Sequence, residues 1–230
     1  MRIGIKAAPE SLILGEPLRE TAKGLQTALD IGRRSATGLA KTAIHGVVNW
    51  AEFETFRENS ESFKSYRFQA ELDRNTCEYC AFLDGGEYTL AYCPQPPVHF
   101  ACRCWIYPVL KDVMVNGELV PFEDALGEDY DKLARRISRL ETDPRTVHHR
   151  DGTTSTAYRN YEVKFVDRRM NYRQWMESMV KSSDPGDVKF AREALGPMRF
   201  RHVSEGKLKV VNLYYQGKLR TISELKELMQ

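Results

Sequence analysis

No stretch of this 230-residue chain approaches the ~20 consecutive apolar residues of a membrane-crossing helix. The only apolar grouping near the N-terminus, SLILG at 11–15, is far shorter than the core of a secretory leader. These absences lead us to expect a soluble protein made in the cytoplasm. Neither sign of charge prevails: 34 Lys and Arg stand against 32 Asp and Glu, a net charge of +2, so the molecule as a whole has no field that would draw nucleic acid or an anionic membrane. Signatures of common enzymes are missing as well. There is no Ser-His-Asp spacing, no glycine loop able to cradle phosphate and no HExxH helix. Internal repeats and coiled-coil arrays are also absent. Cysteines number five, an odd count that fits a disulfide framework poorly in a reducing compartment.

What is present is a concentration of soft ligands. Cys77, Cys80, His99, Cys102 and Cys104 fall within 28 residues, as TCEYC and then PPVHFACRC. A Cys-x-x-Cys turn sets two thiolates beside one another, and a second short knuckle carrying His and Cys can complete the tetrahedron that zinc prefers. Between the knuckles lie Gly85, Gly86, Pro94, Pro96 and Pro97, which disfavour regular structure and leave little continuous apolar surface. Bound metal supplies on the order of 10 kcal/mol of folding energy to such a segment. The plainer alternative is a set of buried thiols beside a surface histidine. Cys77 and Cys80 form the firm pair, and His99, Cys102 and Cys104 compete for the two remaining places. Cys93, on the Pro-rich loop, is expected to be a spectator. A site closed by four thiolate or imidazole ligands leaves no room for water, so one structural zinc per chain is expected rather than a catalytic one.

Around this cluster the pattern is α+β: an N-terminal helical pair, a small zinc-stabilised β module and a mixed C-terminal region of helices and strands. With 42% hydrophobic residues the chain can build a real core. Residues 1–65 hold two amphipathic stripes, Leu18, Ala22, Leu25, Leu29 and then Ala36, Leu39, Ala43, Val47, Trp50, Phe53. Residues 66–110 hold the knuckles between an alternating strand (Tyr66, Phe68, Ala70, Leu72) and a second β-like run at 103–110. Residues 111–169 read as an insert. It begins with an acidic hairpin turning at Asn116-Gly117, passes through a short basic helix at 131–140 and ends in a polar, flexible loop, RTVHHRDGTTSTAYR, before a strand at Tyr161, Val163 and Phe165. Residues 170–230 pack on the module. Helices are expected over 172–182, 187–195 and 197–205, a strand at Leu208, Val210 and Leu213, and a last helix opened by a Thr221/Glu224 capping box.

Candidates for chemistry are few. Asp84 and Glu87 follow the first knuckle, where an acid more often caps a turn or sits in solvent. His148 and His149 lie in the polar loop and are expected to be exposed. Between 133 and 173 ten bases face five acids, with Arg135, Arg136 and Arg139 on the expected helix and Arg168 and Arg169 further on. Such a strip binds phosphate without sequence preference, or else serves as a solvated face or protein contact.

The helix RSATGLAKTAIHGVVNWAEFE, the segment YRFQAELDRNTCEYCAFLDGGEY, the knuckle PPVHFACRCWIYPV and the later YRQWM, LGPMR, EGKLKV and TISEL occur in an order that resembles the phage Mu F-like minor head proteins, also called phage head morphogenesis proteins. The likeness covers about residues 33–110 and 170–228. Phe100-Ala101 stands where the family usually has Pro-Asn, and the 112–169 insert is unmatched. The resemblance implies a non-enzymatic virion protein of a tailed phage, present in few copies inside the head or at its portal vertex. Its partners would be portal and capsid or scaffold proteins, with the basic strip facing packaged double-stranded DNA, and with neither a membrane nor a small-molecule substrate involved. The alternative from the residues alone is a zinc-supported nuclease or another enzyme that processes nucleic acid.

Overall fold

The computed structural model describes residues 15, 17–73, 75–125, 135–140, 144–149, 151–158 and 161–229. It is a mixture of helix and sheet that begins with a helix pair, as the α+β pattern implies. The chain separates into two compact units, one formed by Met1–Gln69 and Gly86–Lys111, the other by Ala70–Gly85 and Asp112–Gln230.

In the first unit α1 (Leu18–Leu29) and α2 (Arg33–Glu58) form a helical hairpin. Asp30 in the left-handed conformation ends α1, and Gly32 precedes α2. Ala22 and Leu25 pack on Ala36 and Ala40, with Leu18, Ile31 and Leu39 around them. Small residues on one side and leucines on the other let the helices approach closely. The expected α2 stripe holds only in part: Ala36 and Phe53 are buried, but Val47 and Trp50 are exposed, Trp50 at 62%. The reason is that α2 uses two faces. Its first half buries Ala36 and Ala40 against α1, while Asn49 and Phe53 of its second half turn into the unit from another side.

That side meets a three-stranded antiparallel sheet of order β2-β1-β3, with β1 at Phe63–Gln69, β2 at Glu87–Tyr88 and β3 at Trp105–Leu110. Phe68 lies opposite Ile106, and Gln69 opposite Trp105. Phe53, Tyr66, Cys93 and Ile106 form the core here, ringed by Phe56, Phe63, Tyr88 and Leu90. The strand expected through Leu72 stops at Gln69. Ala70 and Leu72 are nevertheless buried, because the amide of Ala70 leaves the ladder for a carboxylate of the second unit's own chain, that of Asp84.

The second unit holds α3 (Glu78–Leu83), a hairpin of β4 (Val113–Val115) and β5 (Glu118–Val120), and the short helix α4 (Phe122–Ala125). Asn116 and Gly117 both take positive φ in that hairpin's turn, the primed geometry expected of Asn-Gly. Two expectations for the insert are corrected. Arg135–Leu140 is not a helix but a strand, β6, paired antiparallel with β9 (Tyr161–Val166); residues 131–134 of the expected helix lie outside the described residues. A ten-residue helix is marginal alone, whereas pairing with β9 gives alternate residues of β6 their ladder hydrogen bonds. The expected flexible loop instead contains β7 (Pro144–His148) and β8 (Thr154–Tyr158), an antiparallel hairpin. Its turn uses Asp151-Gly152: the Asp151 carboxylate accepts from the Thr153 amide at 3.0 Å, and Gly152 has φ +81°.

The helices α5 (Tyr172–Val180), α6 (Pro185–Leu195) and α7 (Pro197–Ser204) follow as expected. Asn171 and Gln174 form a capping box on α5, and Asp184 followed by Pro185 opens α6. The expected strand at 208–213 is a 3-10 turn, Val210–Leu213; its buried pair sits three residues apart, the period of that turn rather than of a strand. A small hairpin, β10 (Tyr214–Tyr215) and β11 (Lys218–Leu219), leads to α8 (Ile222–Glu227), whose Thr221/Glu224 box is present. Leu72, Ala81, Trp175, Met176, Leu195, Leu213 and Leu225 meet in one core. Each large apolar side chain buried there contributes about 1.5–3 kcal/mol.

Candidate metal centre

The first knuckle is shaped by α3. Cys77 is its N-cap, and the Cys77 sulfur accepts from the Cys80 amide at 3.4 Å. The outer side of α3 is held by the C-terminal hairpin. Glu78 accepts the Leu219 amide at 2.9 Å, and the Tyr79 ring lies on the backbone of Gly217. Gly217 has φ +80°, and a Cβ there would stand 2.4 Å from the Tyr79 ring. We therefore expect Gly217→Ala to lower the unfolding free energy by about 1–3 kcal/mol through combined strain and overlap. An unchanged urea midpoint would show that Tyr79 does not need this seat.

Asp84, at the far end of α3, is fully buried. One carboxylate oxygen accepts from the Ala70 amide at 2.7 Å, and the other accepts from the Tyr172 amide at the start of α5. The sequence offers it as a candidate for chemistry; here both oxygens hold backbone. Beside it, burial pushes the Tyr172 phenol up, and the nearby Tyr214, Asp73, Asp84 and Cys77 add to the shift.

The second knuckle is shaped by α2. The Ala101 amide donates to the Thr42 hydroxyl at 2.9 Å, and the His45 Nε2 lies 2.7 Å from the Cys104 carbonyl oxygen. Cys102 and Cys104 are each only 3% exposed. The His99 Nδ1 is 2.8 Å from the Phe100 carbonyl oxygen. A carbonyl only accepts, so this nitrogen carries the proton and Nε2 keeps the lone pair a metal would use.

Two groups of ligand atoms are close enough to hold a metal ion: Cys77, Cys80 and His99, and Cys80, Cys102 and Cys104, with the atoms of each group within 4.8 Å of one another. The donor set of thiols and one imidazole suits a soft or borderline ion such as zinc rather than magnesium or calcium. Cys93 lies in neither group. It sits among Phe53, Tyr66 and Ile106, where burial pushes its thiol up to about 11.

The remaining candidates lie elsewhere. Glu87 pairs with Arg67 across the sheet and accepts from Ser65. Partial burial raises its carboxyl, but hydrogen bonds from Arg67 and Ser65 and the charges of Arg67 and Lys64 outweigh this and hold it below the usual carboxylate range. His148 and His149 are exposed in the β7–β8 hairpin. The side chains of Arg135, Arg136 and Arg139 lie outside the described residues, and the strand β6 replaces the helix on which they were grouped. Arg169 is engaged with Asp124 and Glu123. The residues missed by sequence reasoning are Thr42, His45 and Asn49, whose only signal is their recurrence at three- and four-residue spacing on one face of α2.

The chain is thus a mixed helix and sheet protein with Cys/His groups able to hold a metal ion. Residues 6–107, just under half of its length, match the family model described as Phage Mu protein F like protein, and this match supports a phage Mu F-like head morphogenesis protein. No curated protein and no solved structure gives a match.

Proposed function

We propose that this chain is a structural minor head protein of a tailed phage that works in head assembly at or near the portal vertex, with one structural zinc as a rigid clip. The observation that carries the zinc is the pair of ligand groups sharing Cys80. Cys77 and Cys80 with two of His99, Cys102 and Cys104 would supply its four ligands, and the ion would contribute cross-linking rather than chemistry. The family match supports the head and its other proteins as partners. Val47, Val48 and Trp50, exposed along α2, give the N-terminal helices an apolar ridge for docking to portal, capsid or scaffold protein. Elemental analysis of the purified protein tests the clip: one zinc per chain is expected, and a metal-free, fully folded protein would refute it.

Contact with packaged DNA is the second part of this proposal, carried by Arg135, Arg136, Arg139 and Arg168. Arg169 contributes less, because its guanidinium already faces Asp124 and Glu123. Binding of random duplex is expected to be non-specific, with an affinity falling about 40- to 150-fold between 50 and 200 mM salt if three or four phosphates are neutralised. Absence of binding at low ionic strength would remove DNA from the partners. For the nuclease alternative no observation speaks: Asp84, the acid that follows the first knuckle in LDGG, is committed to two backbone amides.

A further inference from the structure

The second knuckle is held by side chains of α2 that are not themselves ligands. Thr42 donates its hydroxyl proton to the Gly38 carbonyl at 2.8 Å, which leaves a lone pair for the Ala101 amide at 2.9 Å. Ala101 has φ +58°, a conformation a non-glycine residue adopts only under constraint, and this hydrogen bond supplies one. One turn further along α2, His45 reaches the carbonyl of Cys104 with Nε2 at 2.7 Å. Because a carbonyl only accepts, Nε2 must carry the proton and Nδ1 the lone pair.

Asn49 lies against that ring. Its amide nitrogen lies 2.9 Å from the His45 carbonyl oxygen, so it is the donor side of the amide that faces His45. The same nitrogen lies 3.3 Å from Nδ1. It is also 3.1 Å from Nε2, so it is nearly equidistant from the two ring nitrogens, and the tautomer is set by the Cys104 bond. The imidazole is further braced edge-on by Trp105, with ring centroids 4.5 Å apart. Glycines open the helix face for this loop: a Cβ on Gly38 would be 2.6 Å from the Phe100 ring, and one on Gly46 would be 3.3 Å from Pro97.

We infer that His45 and Thr42 are positioning residues that set Cys102 and Cys104 for metal before any ion arrives. This rests on the zinc reading above and adds to it that half of the site is organised by helix α2. The two hydrogen bonds flank Cys102, one on the residue before it and one two residues after. With both ends of that short stretch pinned, the Cys102 and Cys104 sulfurs are directed by protein contacts. A ligand pair set in advance has less freedom to lose on binding, so its loss appears in affinity more than in stoichiometry.

The test uses the full chain. Zinc affinity is measured by competition with a chromophoric chelator, and alkylation of each cysteine by iodoacetamide is followed in metal-free protein by peptide mass mapping. His45→Ala is expected to weaken zinc binding about 10–100-fold with stoichiometry kept at one, and to speed alkylation at Cys102 and Cys104 but not at Cys77. His45→Gln, which keeps an N–H donor, is expected to recover most of the affinity. Thr42→Val gives the same direction of effect should His45→Ala fail to fold. If wild type binds zinc and both His45→Ala and Thr42→Val bind it equally tightly, the positioning role falls while the zinc stands. If wild type takes up no zinc, the zinc reading falls first and the inference with it.

Discussion

Asp84→Ala is expected to destabilise the second unit by about 2–6 kcal/mol. The carboxylate is fully buried, and its two oxygens accept from the amides of Ala70 and Tyr172. Truncation strands both donors away from water, and each unsatisfied buried amide costs about 1–3 kcal/mol. It also unties the exit of α3 from the start of α5, whose Tyr172, Trp175 and Met176 lie in the core of this unit. Against a typical total stability of about 5–15 kcal/mol, such a loss lowers the thermal midpoint by on the order of 10 °C. Asp84→Asn is a sharper variant, because it keeps the shape. Its amide presents one acceptor and one donor, so one of the two backbone N–H groups would face another N–H. Its urea midpoint should therefore lie close to that of Asp84→Ala rather than to wild type. A shift below about 0.5 kcal/mol for both variants would mean that the two amides find other partners and that Asp84 is not the staple described here.

The same residue shows where the sequence is readable. LDGG signals a turn, and Gly85 does take φ +76°, but nothing local says that the acid beside it reaches two amides, one 14 and the other 88 positions away. Features whose physics is local were legible. The Cys-x-x-Cys turn, the Asn116-Gly117 hairpin, the Thr221/Glu224 capping box and the helices from Tyr172 to Ser204 all depend on neighbours within a few residues. What failed depends on distant partners. Arg135–Leu140 has enough apolar spacing for a helix, and only the strand at 161–166 makes it β. On α2, hydrophobic periodicity marks Val47 and Trp50 as inward, yet they are exposed. Gly38, Thr42, His45 and Gly46 stand outside that apolar pattern because they are small or polar, and they are the residues against which the second knuckle lies. A polar face can be an interface when its groups match the hydrogen bonds of a loop, and periodicity alone carries no sign of that.

Removing the proposed zinc should have the other large effect. In short peptides without a fold of their own, structural zinc contributes about 10–16 kcal/mol of apparent binding energy, nearly all of it expended on folding. Here α3 and the C-terminal hairpin already shape Cys77 and Cys80, while α2 shapes Cys102 and Cys104. Less of the binding energy is then consumed in ordering the ligands, and more remains as affinity. By mass action, free zinc at a thousand times its dissociation constant adds about 4 kcal/mol to stability. A strong chelator should withdraw that amount and lower the thermal midpoint by on the order of 10 °C. Cys80 belongs to both ligand groups, so Cys80→Ser should abolish zinc uptake and make the midpoint insensitive to chelator. Cys93→Ala should retain one zinc per chain, since Cys93 lies in an apolar cluster apart from the other thiols. Single replacements of His99, Cys102 and Cys104 then identify the two remaining ligands, because the spare among them leaves stoichiometry at one. If the midpoint of wild type is the same with and without chelator, and Cys80→Ser matches it, these thiols are ordinary buried side chains and the zinc clip is wrong.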